Sequence, residues 1–423
     1  MLKHEDNELL VRVGPGTPMG QYLRRFWTPA LLSEEIFAPD CPPVRVKLMG
    51  EELVAFRDTN GKIGLVDAYC PHRRAELFWG RNEDCGLRCV YHGWKFDTEG
   101  RCVDLPNAPD GDRIRKNMKI TSYPTVERSG IIWAYLGPRD LMPEFPAAEV
   151  FNLPATHRYI QKMIIPTNWL QSMEGDVDSS HVSFLHRGAG PVPLSKFIFD
   201  DTAPRYNVVS MNYGLLLAAQ RDAGPDHYHW RFSQWLVPNA TLVASPSNRP
   251  FITNIRIPID DVNTMHIRIY SRIDAELTNQ DWDLVHSGKL FPAMKPGTYF
   301  TQGNAGNDYL IDRRDQKENS FTGIESIPLQ DYAVTANQGG GPILDRSRER
   351  LTASDTAIIA VRKRLLSGVK DLLNGKEPSE PASALEYRVR PADVLMPRSV
   401  DINTNAQILV QGPESIEAYM RAS

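Results

Sequence analysis

The chain has 423 residues, of which 41% are hydrophobic and 24% are charged, and its formal net charge is −4. Because a single core rarely extends over this length, two domains are expected. The 48 basic and 52 acidic residues nearly balance, which argues against a nucleic-acid partner. The polar start of the chain lacks the apolar segment of a signal peptide, and no apolar run approaches the ~20 residues of a membrane span. With five cysteines, these features predict a cytoplasmic protein without a membrane segment.

The first 66 residues contain two kinds of predicted structure. Glycine and proline interrupt residues 7–25 near position 15, which predicts two short helices joined by a turn. From residue 44 onward, short β-type runs at 44–48, 53–56 and 63–66 are separated by turn residues. These runs predict a small all-β domain.

This β domain contains the most specific motif of the sequence. Cys70 and His72 form a C-x-H pair, and sixteen residues further on Cys89 and His92 form a C-x-x-H pair. One Cys and one His in each of two loops suit a [2Fe-2S] cluster in which two thiolates hold one iron and two imidazoles hold the other. Replacing thiolates by imidazoles raises the potential of such a cluster to roughly −150 to +300 mV. The motif therefore predicts an electron-accepting cluster.

A structural zinc site is the alternative for the same four residues, since Cys2His2 is also a zinc ligand set. Zinc fingers usually carry two Cys in one pair and two His in the other, and a C-x-H pair is too short for that template. The cluster is therefore the favoured interpretation.

A second domain is predicted after a proline-rich linker at residues 136–154. Strand-type runs follow at residues 206–211, 215–220, 229–236, 241–244, 251–258 and 265–270. Their spacing predicts a meandering antiparallel sheet. From residue 347 apolar residues recur at three and four positions, which predicts a helix.

A second motif lies before these strands, in the segment from residue 168 to residue 186. His181 and His186 are five residues apart, and Asp178 precedes the first by three. Two His and one carboxylate on one face of the metal, with open positions elsewhere, are the ligands of a mononuclear Fe(II) that binds O2. On an ideal helix the two His would lie about 140° apart. We therefore expect the helix to break or bulge near His186.

The motifs together resemble one known family. The sequences CPH and CVYHGWKF, followed by NWLQSMEGDVDSSHVSFLH, are similar to the catalytic α-subunit of Rieske non-heme iron aromatic-ring-hydroxylating oxygenases, and most similar to the phthalate 4,5-dioxygenase-like group. The resemblance implies an α+β protein: an all-β Rieske [2Fe-2S] domain at residues 43–142, and a catalytic domain at 143–423 with a large antiparallel sheet flanked by helices. Residues 1–42 are expected to form a helical segment that packs on the catalytic domain.

The resemblance also assigns roles to single residues. It implies that Asp355, at the start of the late helix, is the third iron ligand beside His181 and His186. It implies that Asp178 bonds His181 and, across a subunit boundary, a cluster histidine, for which His92 is favoured over His72. Asn168 matches a catalytic asparagine near the iron, although a helix-capping role is equally expected. Glu174 and Asp176 are expected to be solvated or helix-capping.

Arginine can hold a substrate carboxylate by two parallel hydrogen bonds. In this family carboxylated aromatics are often held in that way. Arg205 is the first candidate and Arg249 the second, with Arg221 and Arg231 behind them. Three consecutive glycines at 339–341 depart from the group's usual pattern. The resemblance alone therefore does not assign phthalate as the substrate of this chain.

The implied system is the terminal oxygenase of an O2-dependent reaction. A separate flavin and iron-sulfur reductase would supply NADH electrons, since the chain has no dinucleotide-binding glycine fingerprint. The expected reaction is dihydroxylation of a phthalate-like or benzoate-like acid. O-demethylation of an aromatic methyl ether, and an electron carrier without oxygenase activity, remain alternatives. A homotrimer or stacked hexamer would place one subunit's cluster beside its neighbour's iron.

Overall fold

The computed structural model describes residues 2–188, 190, 194–246, 249–380 and 383–422. They divide into two compact units: one comprises residues 14–16 and 23–143, and the other the remaining described residues. The boundary near residue 143 falls within the predicted linker. Residues 23–42 belong to the β unit, which differs from the predicted division at residue 42, because strand β1 (Trp27–Leu32) pairs with a strand at residues 131–135.

The α-helices are α1 (His4–Val11), α2 (Pro18–Leu23), α3 (Gly111–Arg115), α4 (Trp169–Val177), α5 (Phe197–Asp200), α6 (Asn279–His286), α7 (Arg313–Glu318), α8 (Ile327–Thr335), α9 (Thr356–Leu373), α10 (Ile402–Leu409) and α11 (Pro413–Ala422). Among the described residues, no helix combines the length and apolar character that crossing a membrane requires.

The smaller unit is built of short antiparallel strands, as the sequence predicts. Its ten strands are β1, β2 (Val44–Leu48), β3 (Glu51–Arg57), β4 (Ile63–Asp67), β5 (Arg81–Glu83), β6 (Gly86–Arg88), β7 (Lys95–Phe96), β8 (Cys102–Asp104), β9 (Thr125–Arg128) and β10 (Ile131–Tyr135). They form sheets in the orders β1-β10-β9, β2-β3-β4 and β5-β6-β7-β8. Its core includes Val54, Phe56 and Phe96, all fully buried.

The larger unit is organised around one eight-stranded antiparallel sheet. Its strands are β11 (Arg158–Ile165), β12 (Arg205–Met211), β13 (Gly214–Asp222), β14 (His227–Leu236), β15 (Ala240–Leu242), β16 (Phe251–Pro258), β17 (Thr264–Ser271) and β18 (Ala392–Pro397). The order is β11-β17-β16-β15-β14-β13-β12, and β18 also pairs with β14. The six predicted strand runs all lie in this sheet, whereas β11 and β18 lie outside them.

Alternate residues of the sheet face a cavity on one side, because successive side chains of a strand point to opposite faces. Ile252 and Asn254 on β16 stand opposite Tyr270 and Arg268 on β17, and all four line the cavity. Helices α4 and α8 also contribute residues to its wall. The sheet thus forms one wall of the site.

A buried ion cluster fixes α4 within the larger unit. Glu174 is 6% exposed and accepts hydrogen bonds from Arg346 (3.0 Å) and Arg362 (2.6 Å). Burial alone would raise the pKa of Glu174, but the two guanidinium charges hold it below its usual value. Asp176 accepts a two-bond contact from Arg256. The expectation that these two carboxylates are solvated or helix-capping is therefore wrong.

Substitution Glu174→Gln should destabilise the larger unit by about 3 kcal/mol, because it leaves the fully buried Arg346 without a counter-charge. The midpoint of its denaturant-induced unfolding should fall. Glu318→Gln is the matched control: its pair with Arg314 is exposed, so we expect a change of less than about 0.5 kcal/mol. Equal effects of the two substitutions would show that the buried cluster does not anchor α4.

Candidate metal centres

Two loops of the smaller unit share the same pattern of backbone hydrogen bonds. The amides of Cys70 and Cys89 each donate to the carbonyl five residues on, at 2.8 Å. The residues four positions on, Arg74 and Gly93, donate back to the Cys carbonyls at 2.9 Å. Both adopt positive φ, of 57° and 80°, which closes the turns. The two halves of the motif therefore present their side chains in the same way.

The four predicted cluster residues converge. Cys70 and Cys89 are 2% and 3% exposed and belong to one apolar core, and burial raises the pKa of the Cys70 thiol to about 12. The rings of His72 and His92 lie 4.4 Å apart. Nδ1 of His92 is buried without a hydrogen-bond partner, which is costly unless another group binds it. Two buried sulfurs and an unsatisfied imidazole nitrogen fit a cluster with two thiolate and two imidazole ligands.

The second centre begins where α4 ends. Asp178 is the C-cap of α4 and has an extended backbone, and His181 starts a separate 3-10 turn. The helix therefore breaks before His181, not near His186 as expected, and Asp178 approaches His181 through a turn, not along a helix face. The turn brings Nε2 of His181 within 3.1 Å of Nε2 of His186.

The third group at this centre is Asp331, on α8. Its Oδ1 lies 3.3 Å from Nε2 of His186 and 3.7 Å from Nε2 of His181. Two imidazole nitrogens and one carboxylate oxygen are thus brought within 4.8 Å of one another. The donor set matches the 2-His-1-carboxylate triad of non-heme iron oxygenases.

Asp355 is not part of this group, so its predicted role is wrong. It ends a 3-10 turn before α9, and its Oδ2 accepts hydrogen bonds from the amide (2.7 Å) and hydroxyl (3.1 Å) of Thr352. This arrangement is a capping box. The carboxylate thus stabilises the start of a helix.

Gln330 sets the tautomer of His186. Its Nε2 donates to the carbonyl of Ile324 at 2.6 Å, so its Oε1 must be the acceptor that faces Nδ1 of His186, also at 2.6 Å. The proton of His186 therefore lies on Nδ1, and Nε2 presents a lone pair towards Asp331 and His181. This outer contact orients a ligand histidine.

Sequence reasoning missed Gln330 and Asp331. A signal was present: they place two adjacent polar residues in the largely apolar helix α8. A carboxylate on a buried helix requires a cation or a hydrogen-bond donor.

Substitution Gln330→Leu should weaken iron retention by about 10- to 100-fold, because His186 loses the partner that fixes its ring. Competition with a chelator measures this directly. The [2Fe-2S] visible spectrum should not change, and Gln411→Leu, at an exposed position, is the control. Unchanged iron affinity in Gln330→Leu would rule out the orienting role.

The donor set fits a divalent iron. Ligand nitrogens in cis positions of an octahedral metal lie about 3 Å apart for bonds of about 2.1 Å, close to the 3.1 Å between the two histidines. Without a cation, the lone pair on Nε2 of His186 would face the Asp331 carboxylate at 3.3 Å.

Asp178 lies beside this centre, as predicted. Its Oδ2 is 3.6 Å from Nδ1 of His181, and its Oδ1 accepts from the amide (2.7 Å) and hydroxyl (2.6 Å) of Ser180 and from the hydroxyl of Tyr206 (3.3 Å). Burial would raise its pKa, but the contacts with His181 and Ser180 lower the pKa of Asp178 to about 2. The residue is therefore a carboxylate at neutral pH.

Asn168 has a structural role. It is fully buried, and its Oδ1 caps α4 by accepting from the amide of Leu170. Its Nδ2 donates to the carbonyls of Val11 (3.0 Å) and Asp261 (2.8 Å). Because these bonds use its side chain and it is not among the cavity-lining residues described, the catalytic assignment is wrong and the capping interpretation is correct.

The triad opens into a cavity of about 520 Å³. Apolar side chains, including Leu217, Phe251 and Leu284, line part of it. Of the predicted substrate arginines, Arg249 and Arg231 line this cavity. Arg205 is exposed at the start of β12. Arg221 donates hydrogen bonds to the carbonyls of Ser179 and Asp201. Neither arginine is among the described residues that line the cavity.

The two parts of the chain match two known protein families. Residues 26–124 match the Rieske [2Fe-2S] domain family, and residues 134–405 match the family described as LigXa C-terminal domain like. The second match covers more than half of the chain.

Two curated relatives cover nearly the whole chain. The 3-chlorobenzoate-3,4-dioxygenase oxygenase subunit of Comamonas testosteroni is 38% identical over 430 residues, covering 96% of this chain and 98% of that protein. The phthalate 4,5-dioxygenase oxygenase subunit of Pseudomonas putida is 40% identical over 394 residues, covering 87% and 86%.

Solved structures share the fold at low sequence identity. Dicamba monooxygenase bound to dicamba is similar with a TM-score of 0.59 and 19% identity, over 84% of this chain and all of that one. The NdmA enzyme of Pseudomonas putida CBB5 with caffeine is similar with a TM-score of 0.59 and 22% identity, over 89% and 98%.

The fold and the two sets of ligands define an iron-dependent oxygenase. The chain belongs to the Rieske non-heme iron oxygenases and is an oxygenase subunit of that family, with a Rieske [2Fe-2S] cluster, a mononuclear iron and O2 as cosubstrate.

Proposed function

We propose that this chain is the terminal oxygenase component that dihydroxylates an aromatic carboxylate, a phthalate-like or benzoate-like acid. The observation that carries the proposal is the triad of His181, His186 and Asp331 at the wall of a cavity that combines apolar side chains with arginines. Such a lining suits a flat aromatic ring with an anionic group. The two relatives that cover most of the chain are named for chlorobenzoate and phthalate.

The protein groups divide the work of this reaction. The mononuclear iron, when bound, supplies O2 activation, and the cluster supplies electrons. Gln330 holds His186 through a hydrogen bond at Nδ1, and Asp178 lies 3.6 Å from Nδ1 of His181, so that in both ligand histidines Nδ1 faces away from the metal position. Apolar side chains exclude water from the ring-binding part of the cavity.

Electron delivery requires partners. A separate flavin and iron-sulfur reductase would carry electrons from NADH to the Cys70, His72, Cys89 and His92 cluster. In a homotrimer or stacked hexamer, His92 of one copy would meet Asp178 of the next, and the carboxylate would couple the two centres. The low pKa of Asp178 supports this role, since a permanent carboxylate accepts a hydrogen bond from an imidazole N–H.

O-demethylation of an aromatic methyl ether is the second candidate. The 5,5'-dehydrodivanillate O-demethylase oxygenase subunit of Sphingobium sp. (strain NBRC 103272 / SYK-6) is 32% identical over 392 residues, covering 89% of this chain and 83% of that protein. An electron carrier is disfavoured because it needs no open triad.

A single-turnover experiment tests the proposal. Protein reduced with dithionite and freed of excess reductant is mixed with ¹⁸O2 and a panel of benzoate, 3-chlorobenzoate, phthalate and aromatic methyl ethers. A dihydrodiol acid with both oxygen atoms labelled supports dihydroxylation. Formaldehyde from an ether, without any diol, would replace the proposal by demethylation.

A further inference from the structure

Arg268 is a buried cation inside the cavity that sequence reasoning did not select. It lies on β17, is 5% exposed and lines the cavity of the mononuclear centre. Its Nη1 donates to Oδ1 of Asn254, its cross-strand neighbour on β16, at 2.9 Å. The guanidinium is thus anchored at one corner to the sheet wall.

A buried network holds this anchor in place. Nδ2 of Asn254 donates to Asp176 at 2.7 Å, which leaves its Oδ1 as the acceptor for both Arg268 and Nε2 of His266. Nδ1 of His266 then accepts from the hydroxyl of Tyr332 at 2.6 Å. Burial, with the charges of nearby arginines, lowers the pKa of His266 well below its usual value, so the ring is neutral. Asn254 therefore presents a fixed acceptor to the guanidinium.

The opposite edge of the guanidinium has no partner. Nε of Arg268 is buried without a hydrogen bond, and among the described residues neither Nε nor Nη2 contacts an acceptor. Other arginines of this unit use that same Nε and Nη2 edge to hold a carboxylate; for example, Arg256 holds Asp176 and Arg390 holds Glu149. The edge that binds a carboxylate side-on is thus unpaired in Arg268.

Arg231 and Arg272, which also line the cavity, each pair with a carboxylate, whereas Arg268 pairs with none of the described ones. Arg231 pairs with Asp393 at 3.4 Å, and Arg272 pairs with Asp281 at 2.8 Å. Arg268 has no ion pair among the described residues, and the nearby Asp331 is assigned to iron. With iron bound, the wall around Arg268 therefore carries excess positive charge, which a buried site tolerates only with an anion.

We propose that Arg268 binds the carboxylate of the substrate through the unpaired part of its guanidinium and thereby selects aromatic acids over neutral aromatics. The inference rests on the proposed function and names the residue that sets its substrate class. Binding the carboxylate at this wall orients the attached ring within the cavity that the triad also lines.

Ligand affinity tests this role apart from turnover. Benzoate and its neutral analogue benzamide are titrated by anaerobic calorimetry into iron-loaded wild type, Arg268→Gln and Arg268→Lys. We expect Arg268→Gln to weaken benzoate binding by about 100-fold and to change benzamide binding by less than about threefold, since only the charge-assisted fork is lost. Arg268→Lys, which keeps the charge but not the fork, should lose about tenfold. Arg205→Gln is the control and should bind as wild type.

Each result has a defined meaning. If iron content is unchanged and Arg268→Gln binds benzoate like wild type, the inference is overturned while dihydroxylation of acids can still hold. If Arg268→Gln loses iron or does not fold, Arg268→Lys decides: unchanged benzoate affinity there overturns the inference. Wild type that binds benzamide and benzoate equally would refute Arg268 as a selector of acids. Wild type that binds neither and oxidises no aromatic acid refutes the proposed function itself.

Discussion

Substitution Asp331→Ala is expected to reduce product formation by about 1000-fold or more, because it removes the one carboxylate that the described residues bring to the two histidines. Without this proposed ligand the iron-dependent step would lose several kcal/mol of transition-state stabilisation. The physical basis is the position of Oδ1, 3.3 Å and 3.7 Å from the two ligand imidazoles. Iron should fall by about one atom per chain while the red-brown cluster spectrum stays. Metal analysis and single-turnover product yield measure both effects.

Asp355→Ala is the matched control for this prediction. It removes the carboxylate that the resemblance pointed to, but in the structure that group only caps the start of α9. We expect a loss of about 1 kcal/mol in stability and activity within about twofold of wild type. If Asp355→Ala lost the mononuclear iron and Asp331→Ala kept it, the assignment of the third ligand would be reversed.

Substitution Asp178→Asn is expected to keep both metal centres and to lose turnover coupled to the cluster, by about 100-fold. Asparagine can still accept from Ser180 through Oδ1. Its amide would, however, turn an N–H donor towards His181, where Oδ2 now lies 3.6 Å from Nδ1, and it cannot supply the negative charge. Rapid-mixing measurement of cluster oxidation, after addition of O2 and substrate to reduced protein, detects this step.

Asp283→Asn serves as the control, since Asp283 is an exposed residue of α6. It should oxidise the cluster at the wild-type rate. If Asp178→Asn oxidised the cluster at a similar rate and gave a normal product yield from pre-reduced protein, the coupling role of Asp178 would be contradicted.

Local patterns sufficed for the sheet and the cluster loops. Strands β12 to β17 were predicted within about two residues, since alternation and turn residues are properties of short segments. Cys70 and Cys89 could be predicted as cluster ligands for a similar reason, since each motif lies within one turn. Strand β18 was missed because its residues Ala392–Pro397 form a strand by pairing with distant β14.

The iron site is harder because it is assembled across the chain. His186 and Gln330 are separated by 144 residues, and no periodicity links α4 to α8. The resemblance pointed to a carboxylate in the wrong helix, where the capping box around Asp355 satisfies the residue locally. Arg268 was equally hidden, since an arginine on a buried strand becomes informative only when its partners are known.

Iron, zinc and acid-labile sulfide content of anaerobically purified protein, with visible spectra before and after dithionite, tests the presence of both centres most directly. We expect about three iron atoms and two sulfides per chain, and a red-brown colour that bleaches on reduction. A sample with about two iron atoms should gain one more on addition of Fe(II). Zinc without sulfide would contradict the assignment of both centres. If neither the wild type nor Asp331→Ala took up a third iron atom, the assignment of the mononuclear centre would be contradicted.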